Sequence, residues 1–250
     1  MQYFFESIIK PYIIENQYRN ILEIGSEYGG NTGLLLLIPS VRVSVVDPCL
    51  SADLEAKFKN QDRVKIFRKL SLEVLPKISE TFDSILIDGD HNWYTVFNEL
   101  KIIHERHLIK KGGTIFFHDI GWPYGRRDLY YLPESIPESF RHPFAKKGIK
   151  EKQSELQETG GFNSNLYNAI YEGGPRNGVL TAIEDFLKQF GRNYVFCRMN
   201  AEFGLGVLIK KKNIWSTFMS IKWFLIIQWR EFFARAVSFV ENRITLPKQS

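Results

Sequence analysis

Cysteine is scarce in this sequence, with only Cys49 and Cys197 among 250 residues. Two cysteines so far apart provide neither a disulfide framework nor the usual zinc spacing, so we expect a reducing compartment, the cytoplasm. The first twenty residues also lack a basic segment followed by an uninterrupted apolar run and a cleavage site. We therefore interpret them as folded structure and not as a signal peptide.

Excess positive charge is missing from most of the chain, although the formal net charge is +5. Eight basic and two acidic residues lie from Lys210 onward, so this end carries +6 and the rest of the chain −1. A nucleic-acid enzyme is more often basic around its cleft as well. We therefore expect no nucleic-acid partner.

A long uninterrupted apolar run is absent as well. Beyond Lys212, apolar residues recur at close to a 3.6-residue period, which predicts an amphipathic helix over 213–243. Lys222, Arg230 and Arg235 interrupt every potential membrane span within it. Its many aromatic side chains and basic flank fit packing on its own domain, a homodimer, or peripheral association with the inner face of the membrane.

Short β-rich runs alternate with helical patterns through the first half of the chain. The runs cover residues 20–25, 41–47, 64–68, 83–88 and 113–119. This alternation predicts βα units and a parallel sheet. Before the last run, the pattern predicts a helix over 95–109, with Gly112-Gly113 as its carboxyl-terminal cap.

The alternation stops between about residues 120 and 178, where Pro, Gly and charge are frequent; we interpret this stretch as a lid insertion. A helical pattern over 178–190 and two β-runs, 194–199 and 204–210, then predict a closing antiparallel hairpin. The predicted fold class is α/β: a Rossmann-like, doubly wound, mostly parallel sheet with that hairpin, the lid and a C-terminal amphipathic helix. The predicted domain covers 1–212 and the basic helical tail 213–250.

A glycine-rich turn follows the first predicted strand. Glu23 stands two residues before Gly25, and Gly29-Gly30 follow. A dinucleotide site has the pattern G-x-G-x-x-G and receives a pyrophosphate, which this acid would repel. The acid suits a sulfonium or ammonium group instead. Asp47 ends the second predicted strand, where a carboxylate can accept both hydroxyls of a ribose. An ordinary strand–turn–helix connection is the alternative.

Polar side chains cluster at the ends of the fourth and fifth predicted strands. Adjacent parallel strands place such ends at one edge of a sheet, where α/β folds bind ligands. Carboxylates with imidazole suit a divalent cation, and a histidine beside carboxylates suits a general base. Any one of these residues alone is commonly just a polar strand end. The set consists of Asp88, Asp90, His91, His118 and Asp119.

Taken together, the motifs resemble those of class I S-adenosylmethionine (SAM) methyltransferases. They are LEIGSEYGGNT, VVDP, LSLEVLP, FDSILIDGDHNWY and LIKKGGTIFFHDI. More narrowly, they resemble the branch that includes macrocin-type sugar O-methyltransferases and cephalosporin-hydroxylase-like proteins. The resemblance covers about residues 21–119 well and the closing hairpin loosely. It implies methyl transfer from SAM to a hydroxyl group of a sugar, a glycan or a glycosylated metabolite.

The resemblance also implies which residues bind SAM. The acid and the first glycine would line the methionine part, the next two glycines would shape the turn, and an aspartate would hold the ribose. Two residues would border the adenine, and the aspartate ending the fourth strand would complete the site. In that order they are Glu23, Gly25, Gly29, Gly30, Asp47, Leu70, Ser71 and Asp88.

In the sugar-methylating relatives, a metal is bound by an aspartate at the fourth strand and an acidic pair at the fifth. These positions correspond here to Asp88 and to His118-Asp119, and His91 matches the histidine that serves as general base. His118 departs from the acid of the relatives and shifts the preference from Mg²⁺ toward a softer ion. The implied mechanism is in-line methyl transfer, with the metal and His91 making the hydroxyl nucleophilic.

The lid would supply the acceptor contacts. Its exposed aromatic side chains would stack on sugar rings, and Arg126-Arg127 would equally suit a phosphate. Two other interpretations stay open: an oxygenase with His118 helping to bind iron, and a catalytically inactive membrane-associated binding protein on the same scaffold. The predicted lid contacts are Trp122, Tyr124, Arg126, Arg127, Tyr130, Tyr131 and His142.

Overall fold

The computed structural model of the chain describes residues 1–51, 56–58, 60–212, 222, 225–226 and 229. The chain begins with a 3₁₀ turn, Gln2–Phe4, a π-helical turn, Phe5–Ile9, and helix α1, Lys10–Glu15. Apolar side chains of these turns are buried against one face of the central sheet. The first residues are therefore part of the folded domain.

Seven strands form the central sheet, in the spatial order β3-β2-β1-β4-β5-β10-β9. The first five strands are parallel, and β10 is antiparallel to both of its neighbours. The mostly parallel Rossmann-like sheet with a closing hairpin, which the sequence predicts, is confirmed. Its strands are β1 (Asn20–Ile24), β2 (Arg42–Val46), β3 (Val64–Phe67), β4 (Phe82–Ile87), β5 (Ile109–His118), β9 (Tyr194–Met199) and β10 (Leu205–Lys210).

Helices cover both faces of this sheet, which is why its central strands are continuous apolar runs. One face carries the N-terminal turns and α2 (Gly30–Leu36), and the other carries α3 (Ser71–Val74), α4 (Trp93–Glu105) and α5 (Val179–Phe190). The polar ends of β1, β2, β4 and β5 are left at one edge of the sheet.

The prediction for the end of α4 is wrong. The helix ends at Glu105, and β5 already begins at Ile109, so Gly112-Gly113 lies inside a strand. The pairing of β4 with β5 changes register near Phe82, and Gly112 has a φ of +83° there. A Cβ on Gly113 would lie 2.7 Å from the carbonyl oxygen of Asp83. These glycines serve an irregular strand pairing and not a helix cap.

The insertion between β5 and α5 contains a small antiparallel sheet. Its strands are β6 (Leu129–Tyr130), β7 (Phe144–Lys146) and β8 (Tyr167–Ala169), with β8 in the middle. Fully buried polar side chains organise it: the guanidinium of Arg127 donates to the carbonyls of Ala169 (2.5 Å) and Ser154 (2.6 Å). The lid is therefore a structured subdomain.

Several predicted acceptor contacts of the lid are wrong. Tyr124 and Tyr130 are buried, at 3% and 1% exposure, and do not offer their faces to solvent. Arg126 is paired with Glu184 through two bonds of 2.7 Å, and Arg127 is bound to lid carbonyls. Neither arginine is therefore free to bind a phosphate. Both are used to build the fold.

The predicted amphipathic tail over 213–243 lies outside the described residues, except for four positions. Of these, Lys222 pairs with Glu15 at 2.6 Å, and Ile226 packs against the core. Within the described ranges, no helix has the length and apolar content needed to cross a membrane. The tail and the domain boundary at 212 stay predictions.

Candidate active site

The turn that follows β1 brings two strand ends into direct contact. Gly25 has a φ of +81°, and a Cβ on it would lie 2.3 Å from Cα of Gly89 and 2.4 Å from the carbonyl oxygen of Asp88. Only glycine allows this approach between the ends of β1 and β4. Gly29, with a φ of +69°, is the N-cap of α2. The turn predicted from the sequence is therefore present at the expected edge.

Asp47 holds this turn from the end of β2. Its Oδ2 accepts hydrogen bonds of 2.7 Å from the backbone N–H groups of Ser26 and Glu27, and its Oδ1 accepts one of 2.7 Å from Cys49. The side chain is 5% exposed. Asp47 thus organises the turn itself.

Glu23 lies beneath the turn and is completely buried. One carboxyl oxygen accepts a hydrogen bond from the hydroxyl of Thr32, whereas Oε1 has no partner among the described residues. Burial raises the pKa of Glu23 to about 8. A nearby cationic group would favour the ionised carboxylate, because opposite charge offsets desolvation.

Leu70 and Ser71 stand at the start of α3, and the side chain of Ser71 is buried. The neighbouring group from α4 is Glu99, which is 1% exposed. Burial raises the pKa of Glu99 to about 8, with the hydroxyl of Ser71 acting in the opposite direction. The sequence does contain a signal for a buried Glu99, since this residue falls on the apolar face of α4 between Val96 and Leu100.

The predicted metal ligands meet at the ends of β4 and β5. Nδ1 of His118 lies 2.9 Å from Oδ2 of Asp119 and 3.2 Å from Oδ1 of Asp88. One ligand atom from each of the three residues fits within 4.8 Å of the others. Two carboxylates and one imidazole, all largely buried, form a donor set that fits a divalent cation.

Charge in this cluster is balanced internally. Burial alone would raise the pKa of Asp88, but the neighbouring imidazoles of His118 and His91 overcome it and lower that pKa to about 2. Burial opposes charge on His118, yet the two carboxylates raise its pKa to about 9. The pKa of Asp119 is held far below its usual range by the same histidines, against burial. Two carboxylates therefore share the charge of the imidazoles, as they would share that of a metal.

His91 stands beside the cluster, where the sequence placed a general base. Its Nε2 is 3.0 Å from Oδ2 of Asp119, without the alignment of a hydrogen bond. Its ring stacks on Tyr124 with a centroid distance of 5.5 Å, and the hydroxyl of Tyr131 lies 3.4 Å from Nδ1. Burial opposes protonation, but Asp119 raises the pKa of His91 well above its usual value.

Asp90 does not join the cluster. Its Oδ2 accepts a hydrogen bond of 2.8 Å from the hydroxyl of Thr95, in the first turn of α4. Asn92 caps the same helix by accepting a bond of 2.8 Å from the N–H of Thr95. Asp90 therefore helps to begin a helix, the common structural role of such residues.

The first residues of the chain form one wall of the site, which the sequence did not indicate. The amino group of Met1 is 3.4 Å from Oδ2 of Asp88, and the ring of Phe4 contacts His118 edge-on at 6.3 Å. The side chain of Gln2 lies on Gly30, where any Cβ would collide with it. Gly30 is thus needed for this packing as well as for the turn.

Residues 22–120 match a family described as a methyltransferase domain. The matched segment covers less than half of the chain. It extends from β1 to just beyond β5 and contains the turn, Asp47 and the cluster around Asp88. The match supports the methyltransferase class that the sequence predicts. No curated protein sequence matches the chain.

Solved structures resemble the fold at low sequence identity. The S-adenosylhomocysteine (SAH)-bound methyltransferase PaMTH1 from Podospora anserina shares 13% identity over 80% of this chain and 75% of that one, with a TM-score of 0.51. An O-methyltransferase from Bacillus cereus in complex with SAH shares 15% identity over 81% and 79%, with a TM-score of 0.49. The Podospora structure supports the fold assignment.

Proposed function

We propose that this enzyme is a SAM-dependent O-methyltransferase that methylates a hydroxyl group of a sugar, glycan or glycosylated metabolite. The observation that carries the proposal is the juxtaposition at one sheet edge of two features. The first is the glycine turn held by Asp47, and the second is the buried cluster around Asp88 with His91 beside it.

The turn fits SAM by the chemistry of its groups. The unpartnered Oε1 of Glu23 suits a cation, and Gly25 lets the ends of β1 and β4 meet directly. In this proposal Glu23 and Gly25 hold the methionine part, Asp47 the ribose, and Leu70 with Ser71 the adenine. SAM supplies a methyl group on a positively charged sulfur. Because SAM itself carries the activated methyl group, the protein has to orient the acceptor and exclude water.

The metal would be held by Asp88, His118 and Asp119. A divalent ion there favours the ionised form of an acceptor hydroxyl. Turnover should be lost in EDTA and restored by adding back Mg²⁺ or Mn²⁺. Binding of Mn²⁺ can be measured without turnover by electron paramagnetic resonance and should be lost in Asp119→Asn. Full activity in chelator would remove the metal from the proposal.

His91 is proposed as the base that takes the proton of the acceptor hydroxyl. Stacking on Tyr124 and contact with Tyr131 fix the ring plane, so a ring nitrogen is presented beside the cluster. His91→Gln should lower kcat about 100-fold while SAM affinity is nearly unchanged. The comparison of kcat with calorimetric affinity tests this. A fall in both by the same factor would make His91 a binding residue.

Cofactor binding can be tested with matched aspartates at opposite edges of the sheet. Oδ2 of Asp47 accepts two backbone bonds, and so does Oδ2 of Asp83, from Arg19 and Asn20 at 2.9 Å each. Asp47→Asn and Asp83→Asn should therefore cost similar stability. Only Asp47→Asn should weaken SAH binding, about tenfold by calorimetry. Equal affinities in the two variants would contradict the assignment.

A second candidate is an iron-dependent oxygenase. It is favoured by the two imidazoles, of His91 and His118, that both approach Oδ2 of Asp119. Two histidines with one carboxylate are typical of non-haem iron oxygenases. Transfer of label from methyl-labelled SAM to hydroxylated glycans or metabolites supports the methyltransferase, whereas oxygen-dependent turnover without label supports the oxygenase.

The tail supports a proposal on location from its sequence alone. The tail has many basic and aromatic residues and few acids, a composition that suits binding to anionic lipid. The proposed location is therefore the cytoplasm, with peripheral association at the inner face of the membrane. The full chain should co-sediment with anionic vesicles at low salt, and truncation after Lys212 should abolish this. If the full chain does not sediment with them, the tail packs on the domain or forms a homodimer.

A further inference from the structure

Three aromatic side chains from separate parts of the chain form a row that leads away from the metal cluster. The ring of Phe203 contacts His118 edge-on at 6.2 Å, and Phe162 stacks beside Phe203 at 6.0 Å. Trp122 continues the row, 5.7 Å from Phe162. Phe162 and Phe203 remain 39% and 38% exposed. The row is continuous from a proposed metal ligand to the surface.

The backbone that holds Phe203 is unusually constrained. Glu202, Phe203 and Gly204 all have positive φ, at 43°, 65° and 91°. The carbonyl of Phe203 accepts a bond of 2.6 Å from the N–H of Gly121, and a Cβ on Gly204 would lie 2.5 Å from that nitrogen. Left-handed non-glycine residues are strained and tend to occur at functional sites. Here the bond from Gly121 and the close packing at Gly204 hold the strained hairpin turn against the start of the lid.

Phe162 is fixed in a comparable way. It exchanges two backbone hydrogen bonds with Ile149, of 2.8 and 2.9 Å. Gly148 and Gly161 pack so closely at this bridge that a Cβ on Gly148 would collide with the backbone of Gly160. Trp122 directly follows Gly121, and part of its side chain packs on the lid core. The row is therefore preorganised and does not depend on a flexible loop.

We propose that Phe203, Phe162 and Trp122 form an acceptor platform, and that this platform binds the face of a sugar ring. The proposal rests on the methyltransferase function above and names the residues that select its acceptor. The platform begins at His118, so a ring lying on Phe203 places a hydroxyl next to the cluster.

The arrangement favours a sugar over a planar aromatic acceptor. The ring planes of Phe203 and Phe162 are inclined by 29° and those of Phe162 and Trp122 by 45°, so the three rings form a bent row of single faces. A planar ring is best held in a slot between two parallel facing surfaces. A sugar needs only one aromatic face, because its C–H groups carry partial positive charge and the ring face partial negative charge. Trp122 adds a buried indole N–H without a partner among the described residues. An oxygen-rich ligand can satisfy such a donor.

The test uses the full chain labelled with 5-fluorotryptophan, in which the resonance of Trp122 is assigned by its loss in Trp122→Phe. Methyl glycosides of glucose, galactose, mannose and rhamnose are titrated with and without SAH, and catechol is the planar comparison. At least one glycoside should shift the Trp122 resonance. Phe203→Ala should weaken its binding about tenfold. Phe162→Ala provides a second variant if Phe203→Ala folds poorly.

Tyr171 provides the matched control. It is an exposed lid aromatic, at 59%, and makes no ring contact with the three platform residues. Tyr171→Ala should bind the glycoside as the unaltered chain does. The proposal is overturned if no glycoside moves the Trp122 resonance, or if catechol alone binds in a Phe203-dependent way. SAH calorimetry is separate: failure to bind SAH defeats the methyltransferase proposal, whatever the platform does.

Discussion

The central sheet and the lid achieve burial by different chemistry. In the sheet, most fully buried side chains are apolar, such as Leu22, Ile85 and Leu86, with Glu23, Ser84 and Thr114 as polar exceptions. In the lid, one buried apolar cluster consists of Tyr124, Leu129 and Ile149, with partly buried neighbours. Its fully buried polar side chains are Arg127, Asp128 and Asn168, and Asn177 is 1% exposed. An apolar core tolerates small changes, whereas a polar core depends on each partner being present.

Arg127→Met should show this contrast most strongly. The change keeps volume but removes the donors to the carbonyls of Ala169, Ser154 and Ile170. Several buried acceptors left unpaired should cost about 3–5 kcal/mol. Hydrogen exchange should show the loss in the amides of β6, β7 and β8 first, with β1 and β4 still protected. Uniform loss across both regions would show that the lid and the sheet unfold as one unit.

Gly204→Ala should disturb the joint between the two regions. The residue has a φ of +91° and its new Cβ would collide with Gly121, so we expect a loss of about 1–3 kcal/mol. Gly33 is the control, because it lies in α2 and a Cβ there meets nothing within 4 Å. Gly33→Ala should stabilise the chain by about 0.5–1 kcal/mol in urea unfolding. The prediction fails if the two substitutions change the free energy of unfolding in the same direction.

Glu99→Gln should change the pH dependence of the sheet domain. The carboxyl has a pKa of about 8 when folded and 4.5 as its ordinary value. Between these values the folded chain keeps a proton that the unfolded chain releases, so stability falls as pH rises. Glutamine has no titrating group at this position. Ser71, Asp90 and His91 face residue 99 in both proteins. The Tm advantage of Glu99→Gln should therefore grow from pH 4.5 to about 8 and then level off.

A gain in Tm that does not vary with pH would show that Glu99 is ionised in the folded chain. The comparison is made between the two proteins at each pH, because Glu23 has the same raised pKa, about 8, and contributes equally to both.

Ile85→Val should give the smallest effect and calibrates the others. Ile85 is fully buried in β4, and loss of one methylene from an apolar core costs about 0.5–1.5 kcal/mol. Lid amides should keep their exchange protection relative to the sheet. A cost as large as that of Arg127→Met would remove the contrast between the two cores.

The sheet was predictable because its signals are local. Apolar runs of strand length, a glycine turn and polar strand ends each lie within a few neighbouring residues, and parallel topology then brings Asp88, His118 and Asp119 together. Asp90 follows the same pattern, yet a bond to Thr95 uses it to begin α4. Local sequence does not distinguish these two outcomes.

The lid was not predictable because its signals are distant. Arg126 and Arg127 are identical neighbours, but one pairs with Glu184 on α5 and the other with carbonyls across the lid. The place of Phe203 in the site is unpredictable for a related reason. It reaches the site only because a strained turn docks on Gly121, which no residue pattern shows.

Asp128 ties the lid to the starts of two helices. Its Oδ1 accepts bonds of 2.7 Å from the backbone of Trp93, at the start of α4, and of Gly178, before α5. If the lid moved away from α4 and α5, both bonds to Oδ1 would break, and only the hydroxyl of Tyr130, itself part of the lid, would still donate to this carboxylate. Such an opening would therefore cost two buried hydrogen bonds to a charged group. We infer that an acceptor reaches the site without this movement.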